Sequence, residues 1–454
     1  MNIIYPPKKN ITNYLLTLCV LIFFALVIKF LKIETSCQDA GLVNFSLGFI
    51  LLVSYITSKI LKLAGLPLIS SYILTGIAAG PYVSGFLDSN MIERLRLIDD
   101  LALNFIALTA GGALHIKFLR ARFKAIALNI ALNTVVVFLM VFCFVIFSGS
   151  SFNLTRNLSA VELTAIAVLL GVIAIARSPS SAIAIISECN ASGPFTETVL
   201  GVTVAIDVLI IIFFTFAMTV AKTIMAGGQI IDYQAFAALS LEMAVSLIIG
   251  AIIGKGIAVY IERAGHDLAL FLLAIAFGVA KASISLSAYM ENHFDISLHI
   301  EPLLICMSAG FTVQNFSKAG NFFMESLERF AMPIYLIFFS LAGASLNFEA
   351  LIMCWSFALC FAIVRGMGIF GGTWLAGTIS GYPAAYNRHA WMAYLTQAGV
   401  AIGLAQLAQR QFPEIGVYLS TIVLAVISLN QIVGPVTFKF FLNIAGEAKK
   451  KTGG

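Results

Sequence analysis

The chain has 454 residues, of which 60% are hydrophobic and only 11% charged, with a mean hydropathy of +0.99 and a net charge of +5. Soluble domains carry about 25% charged residues, so this composition excludes a soluble enzyme and makes lipid the solvent for most of the chain. The charge excess is too small and too scattered for a nucleic-acid partner.

Apolar runs of spanning length, bounded by charges or by Pro and Gly turns, number fourteen along the sequence. They cover residues 11–31, 41–61, 66–86, 98–116, 123–147, 161–187, 198–225, 235–261, 268–290, 298–313, 330–347, 350–379, 390–409 and 415–444. The predicted class is therefore an all-α polytopic membrane protein. The first run is long, lacks a small-residue cleavage site and is flanked by Lys29 and Lys32, so it is expected to stay as a helix and not to be cleaved as a signal peptide. The seven cysteines fall mostly inside apolar runs without a C-x-x-C pair and read as small core hydrophobes.

Lys and Arg accumulate in short cytoplasmic loops. With the N-terminus inside, seventeen basic residues fall on the cytoplasmic side, among them Lys8, Lys9, Lys117, Arg120, Arg122, Lys124, Arg263, Arg388 and Lys439. Only seven, including Arg94, Arg156 and Lys222, fall opposite. An even number of spans then puts both termini in the cytoplasm of a cell (inner) membrane. Residues 445–454 are expected as a short cytoplasmic tail, with no nucleotide-binding or regulatory domain.

The remaining cations, Arg177, Lys281 and Arg365, and the carboxylates of Asp207 and Glu242 lie inside apolar runs. Each costs several kcal/mol or more in hydrocarbon unless it is paired or faces water, which makes it a functional candidate. Asp207 sits near the middle of the seventh run, where a lone carboxylate holds either a proton or a small cation; a buried structural ion pair is the plain alternative. Lys281 is expected to snorkel to an interface and Glu242 to hydrogen-bond within the scaffold.

The sixth run is interrupted by Ala176-Arg-Ser-Pro-Ser-Ser181, where Pro179 removes a backbone donor and Ser178 and Ser180 offer hydroxyls. The thirteenth carries Thr396 and Gln397 beside Gly399 and reads as a second interrupted helix. Broken helices near the bilayer midplane expose carbonyls and helix ends, which is how transporters coordinate ions. The two breaks take corresponding positions if residues 66–225 and 298–444 are inverted five-helix repeats joined by linker helices over 235–290. No clear residue identity links these halves. Arg365 would then balance a carboxylate or the broken helix ends.

Several stretches resemble the cation/proton antiporter superfamily of sodium/proton exchangers and potassium efflux antiporters. Gly65-Leu-Pro-Leu-Ile-Ser-Ser-Tyr-Ile-Leu-Thr-Gly-Ile-Ala-Ala-Gly-Pro81 is similar to its early "G-L-P…G-Y-L-L-A-G…G-P" helix. Ser178-Pro179 is similar to the Ser-Pro or Asp-Pro of its unwound helix, Asp207 to its ion-binding aspartate one span later and Arg365 to the basic residue of its late core helix. Phe338-Phe-Ser-Leu-Ala-Gly-Ala-Ser-Leu346 and the stretch from Gln397 to Ala401 carry further likeness. The resemblance implies two crossed, interrupted helices, a separate dimerisation domain, an elevator-like movement and, for residues 1–40, the extra first helix of fourteen-helix members. It departs at Ile206, where electrogenic relatives have an acid and many electroneutral ones Asn. It departs again at Arg177, where a small or hydroxyl residue is usual, and at His115, where a "G-L-E" motif ends in Glu.

The function expected from these readings is antiport of Na⁺ or K⁺ against H⁺, with Asp207 as the site for which cation and proton compete and Ser178 and Ser180 as helpers. No cofactor is implied, the partners are the ions, the bilayer and a second copy of the chain, and an enzyme is not expected. An anion-coupled carrier using Arg177 and a gated channel are the rivals. The five histidines, His115, His266, His293, His299 and His389, have no nucleophile or second metal ligand beside them in a span.

Overall fold

Lipid offers a backbone no hydrogen-bond partners, so a spanning segment must satisfy its own amides. Every element among the described residues is accordingly helical. The computed structural model describes residues 17, 18, 20, 38–63, 66–225, 233–265, 267–294, 300–346, 348–397 and 399–448. The helices are α1 (Gln38–Leu63), α2 (Leu68–Ala79), α3 (Ser89–Arg94), α4 (Arg96–Ala113), α5 (Ile116–Ser148), α6 (Ala160–Ile173), α7 (Pro179–Glu188) and α8 (Pro194–Met225). They continue as α9 (Tyr233–Arg263), α10 (Leu268–Phe294), α11 (Pro302–Phe316), α12 (Gly320–Ala344), α13 (Phe348–Ile379) and α14 (Ala384–His389). A 3-10 turn (Ala390–Tyr394), α15 (Gly399–Gln411) and α16 (Pro413–Ile444) complete the order.

Among the described residues, seven segments are long and apolar enough to cross a membrane by themselves: Phe45–Leu63, Arg120–Ser148, Pro194–Met225, Leu241–Arg263, Gly320–Ala344, Leu351–Ile379 and Pro413–Ile444. Shorter apolar helices add Leu68–Ala79, Ala160–Ile173, Leu268–Ser283 and Val400–Gln409. The protein is a polytopic membrane protein. The expected span at 11–31 lies, but for residues 17, 18 and 20, outside the described residues.

The sequence reading is corrected at one helix and met at two breaks. The helix expected from 330 begins ten residues earlier, at Gly320. Its first turns are amphipathic, with Phe323 and Leu327 fully buried and Glu325 paired with Arg329 at 2.8 Å on the exposed side, so hydropathy alone truncates it. The sixth and thirteenth runs are interrupted as expected, each being two elements separated by non-helical backbone, and Pro179 opens the second element of the sixth. The start of the expected tail is packed: Glu447 is 8% exposed, and residues 449–454 lie outside the described ones.

The chain divides into two compact units. One holds residues 1–99 and 333–346, the other 100–332 and 347–454. In the first, Val43, Ile50, Ala79, Leu87, Leu95, Leu341 and Ala344 form a core. There α2 lies backbone to backbone on the end of α12: Gly76 meets the Ser340 carbonyl and Gly343 the Ile73 carbonyl. Ser340 Oγ donates to Ser54 Oγ at 2.7 Å. In the second unit, α4 and α11 approach equally closely, Gly111 against Met307 and Gly310 against Leu108. With no hydrophobic driving force between helices in lipid, such small-residue contacts supply the van der Waals packing that holds them. The long α5 lies along α13 and α6, and α16 along α13 and α15. Helix α6 starts in a capping box, in which Ser159 Oγ accepts from the Glu162 amide at 3.2 Å and Glu162 accepts from the Ser159 amide at 2.7 Å.

Gly310→Val should push α4 and α11 apart and cost about 1–3 kcal/mol, as overpacking does. A lowered melting temperature in detergent checks this, with Gly278→Ala as control, since a methyl group at Gly278 meets nothing within 4 Å.

Candidate functional site

The two interruptions meet. Pro179 opens α7 without an amide hydrogen and forces the residue before it into extended backbone, and Ser178 stands at φ −113°, ψ 99°. Its hydroxyl caps α7, accepting from the Ser181 amide at 3.2 Å, and bonds to the hydroxyls of Ser181 at 2.9 Å and Ser180 at 3.0 Å. Its own amide donates to the Thr396 carbonyl at 3.1 Å. That bond joins the first break, Ala174 to Ser178, to the second, which follows the 3-10 turn.

Four more carbonyls at the breaks are met by two side chains, one of which a third side chain steadies. Arg365 of α13 is completely buried and uses every arm of its guanidinium. Nε donates to Ala174 O at 2.7 Å, Nη2 to Ala176 O at 2.9 Å and Nη1 to Leu395 O at 2.9 Å. The amide of Gln397 donates to Ile173 O at 2.9 Å, and Asn430 of α16 donates to Gln397 Oε1 at 3.1 Å. Gly434, one turn further along α16, lets that helix lie against Thr396: a Cβ there would come within 2.6 Å of the Thr396 methyl and 2.9 Å of its amide nitrogen.

Arg177 rests on an aromatic ring. It is 2% exposed, and its guanidinium carbon lies 4.1 Å from the centre of the Tyr394 ring, a cation–π arrangement. The Nε and Nη1 groups have no acceptor among the described residues. No ion pair joins Arg177 to Asp207. The ring meets the cation because Arg177 lies in the first break, Tyr394 is the last residue of the 3-10 turn before the second, and the two breaks meet.

Asp207 lies on α8, which packs against α6 and α7. One of its carboxylate oxygens, Oδ1, is fully enclosed and has no hydrogen-bond partner among the described residues. Neither Ser178 nor Ser180 bonds to it; their hydroxyls are within 3.0 Å of each other. Ile206, beside it, is buried. The structure thus gathers Arg177, Ser178, Pro179, Ser180, Arg365, Thr396 and Gln397 at the crossing and sets Asp207 on the next helix. Of the other charges inside apolar runs, Glu242 is buried and Lys281 exposed. No cluster of metal-ligating residues occurs among the described residues.

Sequence reasoning passed over Tyr394, Asn430 and Gly434. Adjacent Asn430 and Gln431 in an otherwise apolar stretch were a usable signal, because a buried amide in lipid demands a partner. Tyr394 gave none, since aromatic residues are common throughout the chain.

The family model for the transmembrane domain of sodium/hydrogen exchangers matches residues 47–444. No curated protein matches the chain. Two solved structures of the sodium proton antiporter MjNhaP1 from Methanocaldococcus jannaschii are similar in fold, each at 15% identity. The structure at pH 8 has a TM-score of 0.61 and covers 89% of this chain and 98% of its own. The structure from an electron microscopy map has a TM-score of 0.67 and covers 92% and 100%.

Arg365→Lys keeps the charge but cannot reach three carbonyls at once. Each carbonyl left without a donor should cost about 1–3 kcal/mol, read as a drop in melting temperature larger than that of a lysine substitution at the exposed Arg329.

Proposed function

This chain belongs to the sodium/hydrogen exchanger family, and we propose that it exchanges a monovalent cation, Na⁺ or K⁺, for H⁺ with Asp207 as the site for which the two compete. The observation that carries the reading is the unpartnered, enclosed oxygen of Asp207 in the middle of an apolar helix. A buried carboxylate oxygen left open in a fold that satisfies its neighbours is a place for a ligand. Deprotonated, Asp207 binds the dehydrated cation. Ser178 and Ser180 assist, since a hydroxyl oxygen has two lone pairs and the bonds between them leave acceptor capacity free. Protonated, Asp207 lets the empty carrier return. Arg365 keeps the broken helix ends in place, Pro179 and the crossing residues Thr396 and Gln397 maintain the breaks, and Arg177 tunes the response to pH without binding the cation.

The exchange is electroneutral in this reading, because one carboxylate titrates and Ile206 supplies no second acid. The carrier works by an elevator-like movement, as a homodimer in the cell (inner) membrane with both termini in the cytoplasm. An anion-coupled carrier is the second reading, favoured by the two guanidinium N–H groups of Arg177 that have no acceptor among the described residues.

In proteoliposomes with an internal pH dye, addition of Na⁺ or K⁺ should move protons, and Asp207→Asn, which keeps volume but cannot cycle a proton, should abolish the signal. Exchange by Asp207→Asn at the wild-type rate removes Asp207 from the mechanism, and a steady current on a solid-supported membrane contradicts electroneutrality. Arg177→Ser should preserve exchange with a displaced pH optimum. A wild-type flux that stops when gluconate replaces chloride, and no longer does so in Arg177→Ser, favours the anion-coupled reading.

A further inference from the structure

The first turn of any helix has amides without intrahelical acceptors, and in α8 all are accounted for in an unusual way. Pro194 has none, and the Glu197 amide bonds to Gly193 O at 3.0 Å. The amides of Phe195 and Thr196 both donate to the carboxylate of Glu447, at 2.9 and 2.7 Å, and the Thr196 hydroxyl donates to it at 2.6 Å. Glu447 lies three residues beyond the end of α16 and 251 residues after Thr196 in sequence. Its main-chain carbonyl also accepts from the Ser192 amide at 3.1 Å. Gly193 has φ +154°, and a Cβ there would collide with the Glu447 carboxyl group, so the turn before α8 is shaped around this side chain. Phe441 of α16 adds a ring contact with Phe195, centroids 4.3 Å apart.

Two helices that matter to the proposed exchange are joined by this carboxylate. Helix α8 carries Asp207, and α16 holds the second break through Asn430 and Gly434. Asp207 lies eleven residues past Thr196, about 17 Å along a stiff helix at 1.5 Å per residue. A slide or tilt of the first turn is therefore transmitted to Asp207. A negative group at the N-terminal pole of a helix is also held by the helix dipole, so the joint is charged and directional as well as hydrogen-bonded.

From this geometry we infer that Glu447 is a positioning residue of the exchange site, a joint that fixes the height of the Asp207 helix against the crossing. The inference rests on the reading of Asp207 as the competitive site. A purely structural cap would lower stability and leave the properties of the folded carrier unchanged; a positioning residue alters cation affinity in protein that is still folded.

The test uses the full chain in proteoliposomes, with Glu447→Ala, Glu447→Gln and Thr196→Val beside wild type and Asp207→Asn. Glu447→Ala should raise the KM for the cation roughly three- to tenfold with the maximal rate within about twofold per folded carrier. Glu447→Gln, which keeps one acceptor oxygen, should recover part of the loss, and Thr196→Val should show a smaller rise. Amide hydrogen exchange at Phe195 and Thr196 should quicken in Glu447→Ala. A melting temperature that falls while KM stays at the wild-type value overturns the inference and leaves a cap alone. Where Glu447→Ala does not fold, an unchanged KM in both Glu447→Gln and Thr196→Val has the same force. Wild-type exchange that survives in Asp207→Asn overturns the underlying reading instead, whatever the Glu447 variants do.

Discussion

Three hydrogen bonds from one side chain make the interrupted helices tenable. Breaking a helix in a membrane strands carbonyls where no water can reach them, and each stranded group costs several kcal/mol in hydrocarbon. Arg365 meets the carbonyls of Ala174, Ala176 and Leu395, drawn from both breaks. A guanidinium can do this because its donors radiate in one plane. Its own burial is offset in turn, since helix C-terminal carbonyls carry partial negative charge and α6 and the 3-10 turn both end at it. Cation and breaks each remove the other's penalty, so neither stands alone in this core.

Around that centre several polar groups match one another. Ser178 caps α7 and crosses to Thr396, Gln397 covers Ile173, and Asn430 steadies Gln397. Of the buried atoms left unmatched there, Tyr394 Oη and Gln431 Oε1 belong to neutral groups, and one oxygen of Asp207 and two nitrogens of Arg177 belong to ionisable ones. The two ionisable groups are of opposite sign and unpaired with each other, and Arg177 is held to the face of Tyr394. In the proposed exchange that separation leaves the Asp207 carboxylate open to a small cation, whereas a guanidinium at about 4 Å would compete with it by about 4 kcal/mol at an effective dielectric of ~20.

Close helix approach is the second constraint. The contacts at Gly76 and Gly343, at Gly111 and Gly310, and at Gly434 leave no room for a side chain. In lipid this packing stands in for the hydrophobic effect that binds helices in water. The same economy of space appears at Gly193, where the missing side chain is replaced by the carboxylate of Glu447.

Much of the architecture was legible from residue type and order. Apolar runs mark helices because a lipid-facing segment has no other way to satisfy its backbone. Pro179 marks a break because it lacks a donor, and Asp207, Arg177 and Arg365 are conspicuous because charge in hydrocarbon is costly. Partnership was not legible. That Arg177 would rest on Tyr394, that Ser178 and Ser180 would bond to each other and not to Asp207, and that Glu447 would cap a helix at Thr196, 251 residues before it in the chain, are matters of which segments cross. Composition and spacing report the free energy of a residue in a solvent. Hydrogen-bond partners depend on distance and direction in three dimensions, which exist only once the two breaks have met around Arg365.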